Sequence, residues 1–412
     1  MTAVSQSGSA FRSAFRHRAF ALFWTARVCS MLAIQMQVVA VGWQIYDMTS
    51  NPLDLGLVGL FQFLPSLALV LFAGHVVDSH DRKRILFGAL TTECVAVAGL
   101  FAATLAGALS PTAIFATVAL IGAAKAFEGP ANQALLSAMV PLEDLPNAVA
   151  WQSSGIQVAQ ISGPALGGLL YIAGPAVVYG VSAAMLLVAV ALILATRPRP
   201  VTMVRRSMSW STLLAGAAFI RSRPEILGAI SLDLFAVLLG GATALLPIYA
   251  RDILHVGPWG LGLLRSAPAL GALVMAVAIT RWGVQRHAGR WMLIAVAGFG
   301  VATILFGLSA DPVLSFIALL AVGATDQVSM FVRQTLIQLS TPDDMRGRVG
   351  AVTSLFIGAS NQLGEFESGA AAAAFGAVPA VVAGGVGAVG LAAVWAWRFP
   401  ALRDIDRLSE TR

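Results

Sequence analysis

Apolar runs long enough to cross a lipid bilayer as helices recur twelve times along this 412-residue chain. A crossing helix needs about 20 mainly apolar residues, and in hydrocarbon every backbone polar group must be satisfied within the segment. That ruler predicts spans at 19–46, 55–77, 85–107, 112–139, 147–172, 175–196, 226–250, 258–281, 290–309, 313–338, 348–374 and 377–397. Charged residues make up only 11% of the chain, against about 25% in a soluble domain. So little charge cannot coat a water-facing surface. A soluble enzyme, a disordered chain and a disulfide scaffold are excluded, and the expected class is an all-α polytopic membrane protein.

Charge placement predicts the orientation. With the N-terminus in the cytoplasm, 21 of the 26 Lys and Arg residues fall on that side, one (Arg251) falls opposite, and four (Arg27, Lys125, Arg265, Arg333) lie inside spans. Lys and Arg concentrate on the cytoplasmic side of membrane proteins, so both termini are expected there. The first apolar run is longer than the core of a cleavable signal peptide and reads as an uncleaved span. The net charge of +6 sits in short clusters with no aromatic-interleaved stripe, which argues against nucleic-acid binding. Cys29 and Cys94 lie in separate apolar runs and predict buried thiols rather than a redox pair or metal cage. The long hydrophilic stretch 197–225 divides an N-terminal six-helix bundle (1–196) from a C-terminal one (226–412).

The halves repeat. A shift of 201 positions lays Gly122, Gln133, Leu135, Pro141, Gly163 and Gly168 on Gly323, Gln334, Leu336, Pro342, Gly364 and Gly369. A shift of 203 lays Gly59 and Pro65 on Gly262 and Pro268. Spans four and five therefore resemble ten and eleven, and span two resembles eight. Two like-oriented six-span halves suit a transporter that alternates access to a central site.

Between spans two and three stands Gly74-His-Val-Val-Asp78-Ser-His-Asp81-Arg82-Lys83-Arg84. A glycine, an acid four residues on and a basic cluster in a short turn resemble the signature loop of the major facilitator superfamily. The resemblance covers the whole chain and implies its fold: twelve transmembrane helices in two pseudo-symmetric six-helix bundles. It makes Gly74, Asp78 and Arg82 gating candidates, with Asp78 placed to pair with Arg82. Asp81 departs from the usual glycine. Span five carries Gly163-Pro164-Ala-Leu-Gly167-Gly168, resembling the core of the superfamily's antiporter motif. Its small residues permit close helix approach and its proline a bend, so these four residues join the gating candidates.

Ionisable residues deep in a span are costly unless paired or wet, and so mark function by default. Lys125, Glu128 and Asn132 share one face of span four, at a spacing that resembles the superfamily's Arg-x-x-Gln-Gly motif with Lys and Glu substituted. Either Lys125 and Glu128 pair structurally or Glu128 carries a proton. Asp326, Ser329 and Arg333 stand at the equivalent place in span ten, and Asp233 lies about two turns into span seven. Glu128, Asp326, Lys125 and Asp233 are therefore the proton-coupling candidates. Gln37, Gln44, Gln62, Asn132, Gln157, Gln160, Arg265, Asn361 and Glu365 are the candidates to line a substrate cavity. Glu93 and Glu367 also lie within spans.

No nucleotide-binding, hydrolase or metal-ligand motif occurs, so the chain is expected to be no enzyme and to need no cofactor beyond the proton gradient. Val41-Gly-Trp-Gln-Ile-Tyr, Gln160-Ile-Ser-Gly-Pro and Arg346-Gly-Arg-Val resemble the enterobactin and multidrug exporter branch. That resemblance implies proton-coupled efflux of a siderophore or amphipathic compound by a monomer in the bacterial inner membrane. The alternative is proton-coupled nutrient uptake.

Overall fold

The computed structural model describes residues 13–199, 210–283 and 286–406. Twelve long helices follow: α1 (Arg18–Thr49), α2 (Pro52–Ser79), α3 (Arg82–Leu105), α4 (Pro111–Leu136), α5 (Leu145–Tyr171), α6 (Pro175–Ala195), α7 (Pro224–Leu239), α8 (Gly257–Trp282), α9 (Ala288–Leu308), α10 (Pro312–Ser340), α11 (Asp343–Phe375) and α12 (Ala377–Arg398). Among the described residues, ten spans are long and apolar enough to cross a membrane, that of α7 running on to Ile253. The other two are equally long, but α5 is richer in Ser and Gln and α11 in charged residues. The fold is that of a twelve-helix membrane protein in two pseudo-symmetric halves.

Local chemistry sets the helix ends twice over. Ser110 caps α4 through the Ala113 amide and Pro111 opens the first turn; Asp311 caps α10 through Leu314 and Pro312 follows it. Capping oxygens satisfy amides the helix leaves bare, and proline costs nothing at the first helical position. The turns after α5 and α11 hang on Gly174 (φ +107°) and Gly376 (φ +92°), a region glycine enters without steric cost. Each pair of features lies about 201 residues apart, so the repeat written in the sequence is a repeat of structure.

Two compact units result. One comprises residues 1–44 with 61–208, the other 45–60 with 209–412. In the first, α3 packs against α4 and α6; in the second, α9 packs against α10 and α12, and α8 against α10. Glycines allow the closest crossings. A Cβ on Gly122 would collide with the Gln62 carbonyl of α2, and one on Gly323 with the Pro268 carbonyl of α8. Gly163 lies against Gln35 of α1, and its counterpart Gly364 lies against Val237 of α7. Small residues permit such approach where lipid supplies no hydrophobic drive between helices.

Span seven is not one continuous helix. After α7 the chain passes Gly240–Gly241, a 3₁₀ turn (Ala242–Leu245) and a π turn (Tyr249–Ile253), with Gly241 seated on the Gly364 backbone of α11. Of the sequence-predicted linker 197–225, residues 200–209 lie outside the described residues. A helix at Trp210–Ser222 follows and sets Gly216 against Arg348 of α11.

At the other end of the first unit, His17 binds Asp144 at 2.8 Å. Hydrogen bonds from His17 and Ser13 hold the Asp144 carboxyl below its usual value of 3.8. A depressed folded value contributes stability above 3.8 that is lost as pH falls through it. Thermal unfolding of the wild type in detergent is expected to lose stability below that pH, and Asp144→Asn to lack this component. A second expectation concerns packing. Gly122→Leu is expected to lower the unfolding temperature sharply, by roughly 1–3 kcal/mol of overpacking or more. Gly99→Ala, with open space around its Cβ position, should change it little.

Candidate functional site

Charge buried inside each unit defines the candidate site. In the first, Arg27 of α1 pairs with Glu128 of α4, and Asn132, one turn on, donates to the same carboxylate at 3.3 Å. Glu128 and Asn132 are 5% and 3% exposed. In the second unit, Arg333 of α10 pairs with Asp233 of α7, both almost wholly buried. The two pairs join equivalent helices with the polarity reversed: the acid is on α4 in one and on α7 in the other. Spacing alone matched Lys125 with Glu128; the structure gives Glu128 to Arg27, about a hundred residues away in sequence and adjacent in space.

Near Asp233 the second unit holds a small, largely apolar cleft, to which Asp233, Thr325, Asp326 and Ser329 contribute polar groups beside Phe299 and Ala236. Among the described residues Asp326 forms no ion pair, and the Ser329 hydroxyl is buried without a partner. A buried hydroxyl of that kind has room for a water only where polar neighbours supply further partners. Asp326 and Ser329 stand at the positions repeating Lys125 and Glu128, so the same depth is polar in both units.

In the first unit a further carboxyl completes the group. Glu93, midway along α3, is 1% exposed, and no amide, hydroxyl or cation donates to its oxygens. Glu128, Lys125 and Arg27 surround it. The sequence marks it only as an acid inside a span. Its one further signal is depth, since Glu93 and Lys125 both fall near the midpoints of adjacent antiparallel helices.

The signature loop is built differently from its sequence reading. Asp81 caps α3, accepting from the Lys83 amide at 2.9 Å, which explains the departure from glycine. Lys83 Nζ donates to the Leu194 and Thr196 carbonyls at the end of α6, a favourable place for a cation beside the helix dipole. Arg82 does not pair with Asp78; its Nη1 donates to the Ala134 carbonyl of α4 at 3.2 Å, and among the described residues Asp78 has no ion-pair partner. Gly74 is buried, as are Gly163, Pro164, Gly167 and Gly168.

The amide candidates divide. Gln37 is 4% exposed, Gln44 accepts from the Tyr179 hydroxyl at 2.7 Å, and Gln62 is half-buried with its backbone beneath Gly122. Gln157, Gln160, Arg265 and Glu365 are half-buried and Asn361 is exposed. Arg265 of α8 and Glu365 of α11 attract each other. Ser354, Gly358 and Asn361 form an exposed polar stripe on α11, in contrast to the apolar face a lipid-facing helix presents.

Comparison with known proteins fits this architecture. A family model described as transmembrane secretion effector matches residues 9–412. Enterobactin exporter EntS of Shigella dysenteriae serotype 1 is 27% identical over 378 residues, 90% of this chain and 86% of that protein. Its counterpart in Citrobacter koseri is 28% identical with the same coverage. Among solved structures, the nucleoside transporter NupG superposes with a TM-score of 0.72 at 15% identity, covering 94% of this chain and 99% of that one. A bacterial homologue of the lysosomal transporter Spinster, inward-facing and occupied, gives 0.72 at 15% identity over 94% and 98%. These structural likenesses concern the fold.

The buried pairs generate a prediction. Removing one partner strands a charge, whereas removing both does not. Arg333→Met is expected to destabilise the protein by about 3–5 kcal/mol, and Arg333→Met with Asp233→Leu to recover most of that loss. Denaturant unfolding of the purified protein measures both; equal loss in single and double variants would refute the pairing.

Proposed function

The chain belongs to the transmembrane secretion effector family of major facilitator transporters, and on that premise we propose that it is a proton-coupled exporter of a siderophore or similar amphipathic compound. It is a transporter and no enzyme. Its place is the bacterial inner membrane, with both termini in the cytoplasm, as a monomer using no cofactor other than the proton gradient.

The observation that carries this reading is the pairing of buried charge in both units, Arg27 with Glu128 and Asp233 with Arg333. Burying ions is a poor way to stabilise a protein, because desolvation offsets the attraction. Such groups are kept at membrane depth where their charge state has work to perform. Proton binding at Glu128 or Asp326 changes the cost of burying that charge, and so favours one conformation over another. Protons entering and cargo leaving then occupy the protein in alternation, and the inward proton gradient drives cargo out. Similarity to the enterobactin exporters over 90% of the chain supports a bulky polar–aromatic cargo.

Everted membrane vesicles test this directly. With the lumen acidified, the wild type is expected to accumulate a catecholate siderophore or a fluorescent amphipathic dye. Accumulation only under the opposite gradient would indicate uptake instead. Glu128→Gln is expected to lose gradient-driven transport while retaining exchange of cargo across the membrane. Retention of full gradient-driven transport by both Glu128→Gln and Asp326→Asn would remove these two acids from the coupling step.

A further inference from the structure

Within the first unit, Glu128 is already engaged. Its carboxylate takes the Arg27 guanidinium and the Asn132 amide. Glu93 is 1% exposed, no cation or amide donates to it, and the group its carboxyl meets is that of Glu128. A carboxylate left in that condition carries the full desolvation cost of an ion; a carboxylic acid there carries far less. Two carboxyls that share one site cannot both hold their charge easily.

The groups facing Glu93 are few. From α4 come Lys125 and Glu128, and from α1 comes Arg27. The third neighbouring helix, α6, has no Asp, Glu, Lys, Arg or His anywhere along it; its Tyr179 is bound to Gln44. Lys125 is half-buried and, among the described residues, has no ion-pair partner. With Arg27 committed to Glu128, Lys125 is the cation left for Glu93.

We propose that Glu93 holds the exchangeable proton of this transporter, in a carboxyl pair with Glu128, and that Lys125 supplies the charge that replaces the proton when it leaves. The proposal rests on the proton-coupled reading above and puts Glu93 in place of Glu128 as the acid that exchanges the proton, with Glu128 as its carboxyl partner. On release the O–H bond of Glu93 breaks, the proton passes to water, and the carboxylate left behind is matched by the Lys125 ammonium. Reprotonation reverses each step. Arg27 stays paired with Glu128 throughout, so the cycle changes the local charge by one and leaves the α1–α4 joint intact.

Infrared titration of the full-length protein in lipid nanodiscs reads the protonated carboxyl through its C=O stretch. The wild type is expected to show such a band that disappears on raising pH. Glu93→Gln should lose it, Glu93→Asp should move it, and Glu128→Gln should shift it without removing it. In Lys125→Met the band should persist to higher pH, because the compensating charge is gone. A titrating band unchanged in Glu93→Gln, or unmoved in Glu93→Asp if the Gln variant does not fold, overturns the proposal, as does its absence from the wild type. In everted vesicles Glu93→Gln is expected to lose gradient-driven transport and keep cargo exchange; retained driven transport also overturns it. Failure of the wild type to respond to any gradient would instead refute proton coupling itself, and the infrared band would still report who holds the proton.

Discussion

Charge in a medium of low dielectric must be answered where it stands. That constraint orders much of this structure. Arg27 and Glu128 lie on helices far apart in sequence, and each is costly in an apolar surround without the other, so α1 and α4 are held in one register. Asp233 and Arg333 impose the same condition on α7 and α10. The pairs need not add net stability to be decisive, because alternatives that separate them are penalised more heavily than the native arrangement is rewarded. Reversing the polarity between the halves has a further consequence. The acid rides on α4 in one unit and on α7 in the other, so duplicated architecture presents unlike chemistry at equivalent depth.

Glycine supplies the complementary constraint. Where backbones meet at Gly122 and Gln62, or at Gly323 and Pro268, no Cβ fits. Helices that touch through backbone lock by shape, over distances at which dispersion is strongest. The unit interiors therefore combine packed glycine contacts with buried ion pairs. Polar residues that escape this packing, such as Asn361 on the exposed stripe of α11, are left free to meet water or cargo.

Much of this was legible in the sequence because hydropathy and charge asymmetry act through single residues. The helix series and the duplication at about 201 residues need no knowledge of partners. Ion pairing is different. Lys125 and Glu128 satisfy every local rule for a helix-face pair, and the rule loses to Arg27, which local reasoning cannot see. Asp81 shows the converse: a departure from a family pattern becomes an ordinary N-cap once the start of α3 is known. The break after α7 was hidden because Gly240 and Gly241 sit in an otherwise apolar run, where Gly240 faces Phe299 of α9 and Gly241 the Gly364 backbone of α11. Glu93 carried too little pattern to stand out, since its meaning depends on what α1 and α4 bring to it.

The segment 45–60 shows how these forces can be graded within one fold. It belongs to the second unit although the helices on either side of it continue into the first. Its contacts are of two kinds. Arg251 donates to the Tyr46 carbonyl at 3.1 Å and pairs with Asp47 at 3.5 Å, while Tyr46 donates to Asp252. Arg251 and Asp47 keep 33% and 58% of their side-chain surface, and exposed pairs of this kind contribute about 0–1 kcal/mol. Beside them Gly56 and Gly369 bring backbone against backbone, a contact that fits closely in one register and leaves no side chain to unpack when it parts. The buried pairs at Glu128 and Asp233 are costly to break by comparison. The segment is thus held by exposed ion pairs and a backbone contact, and the interior of each unit by dry ion pairs.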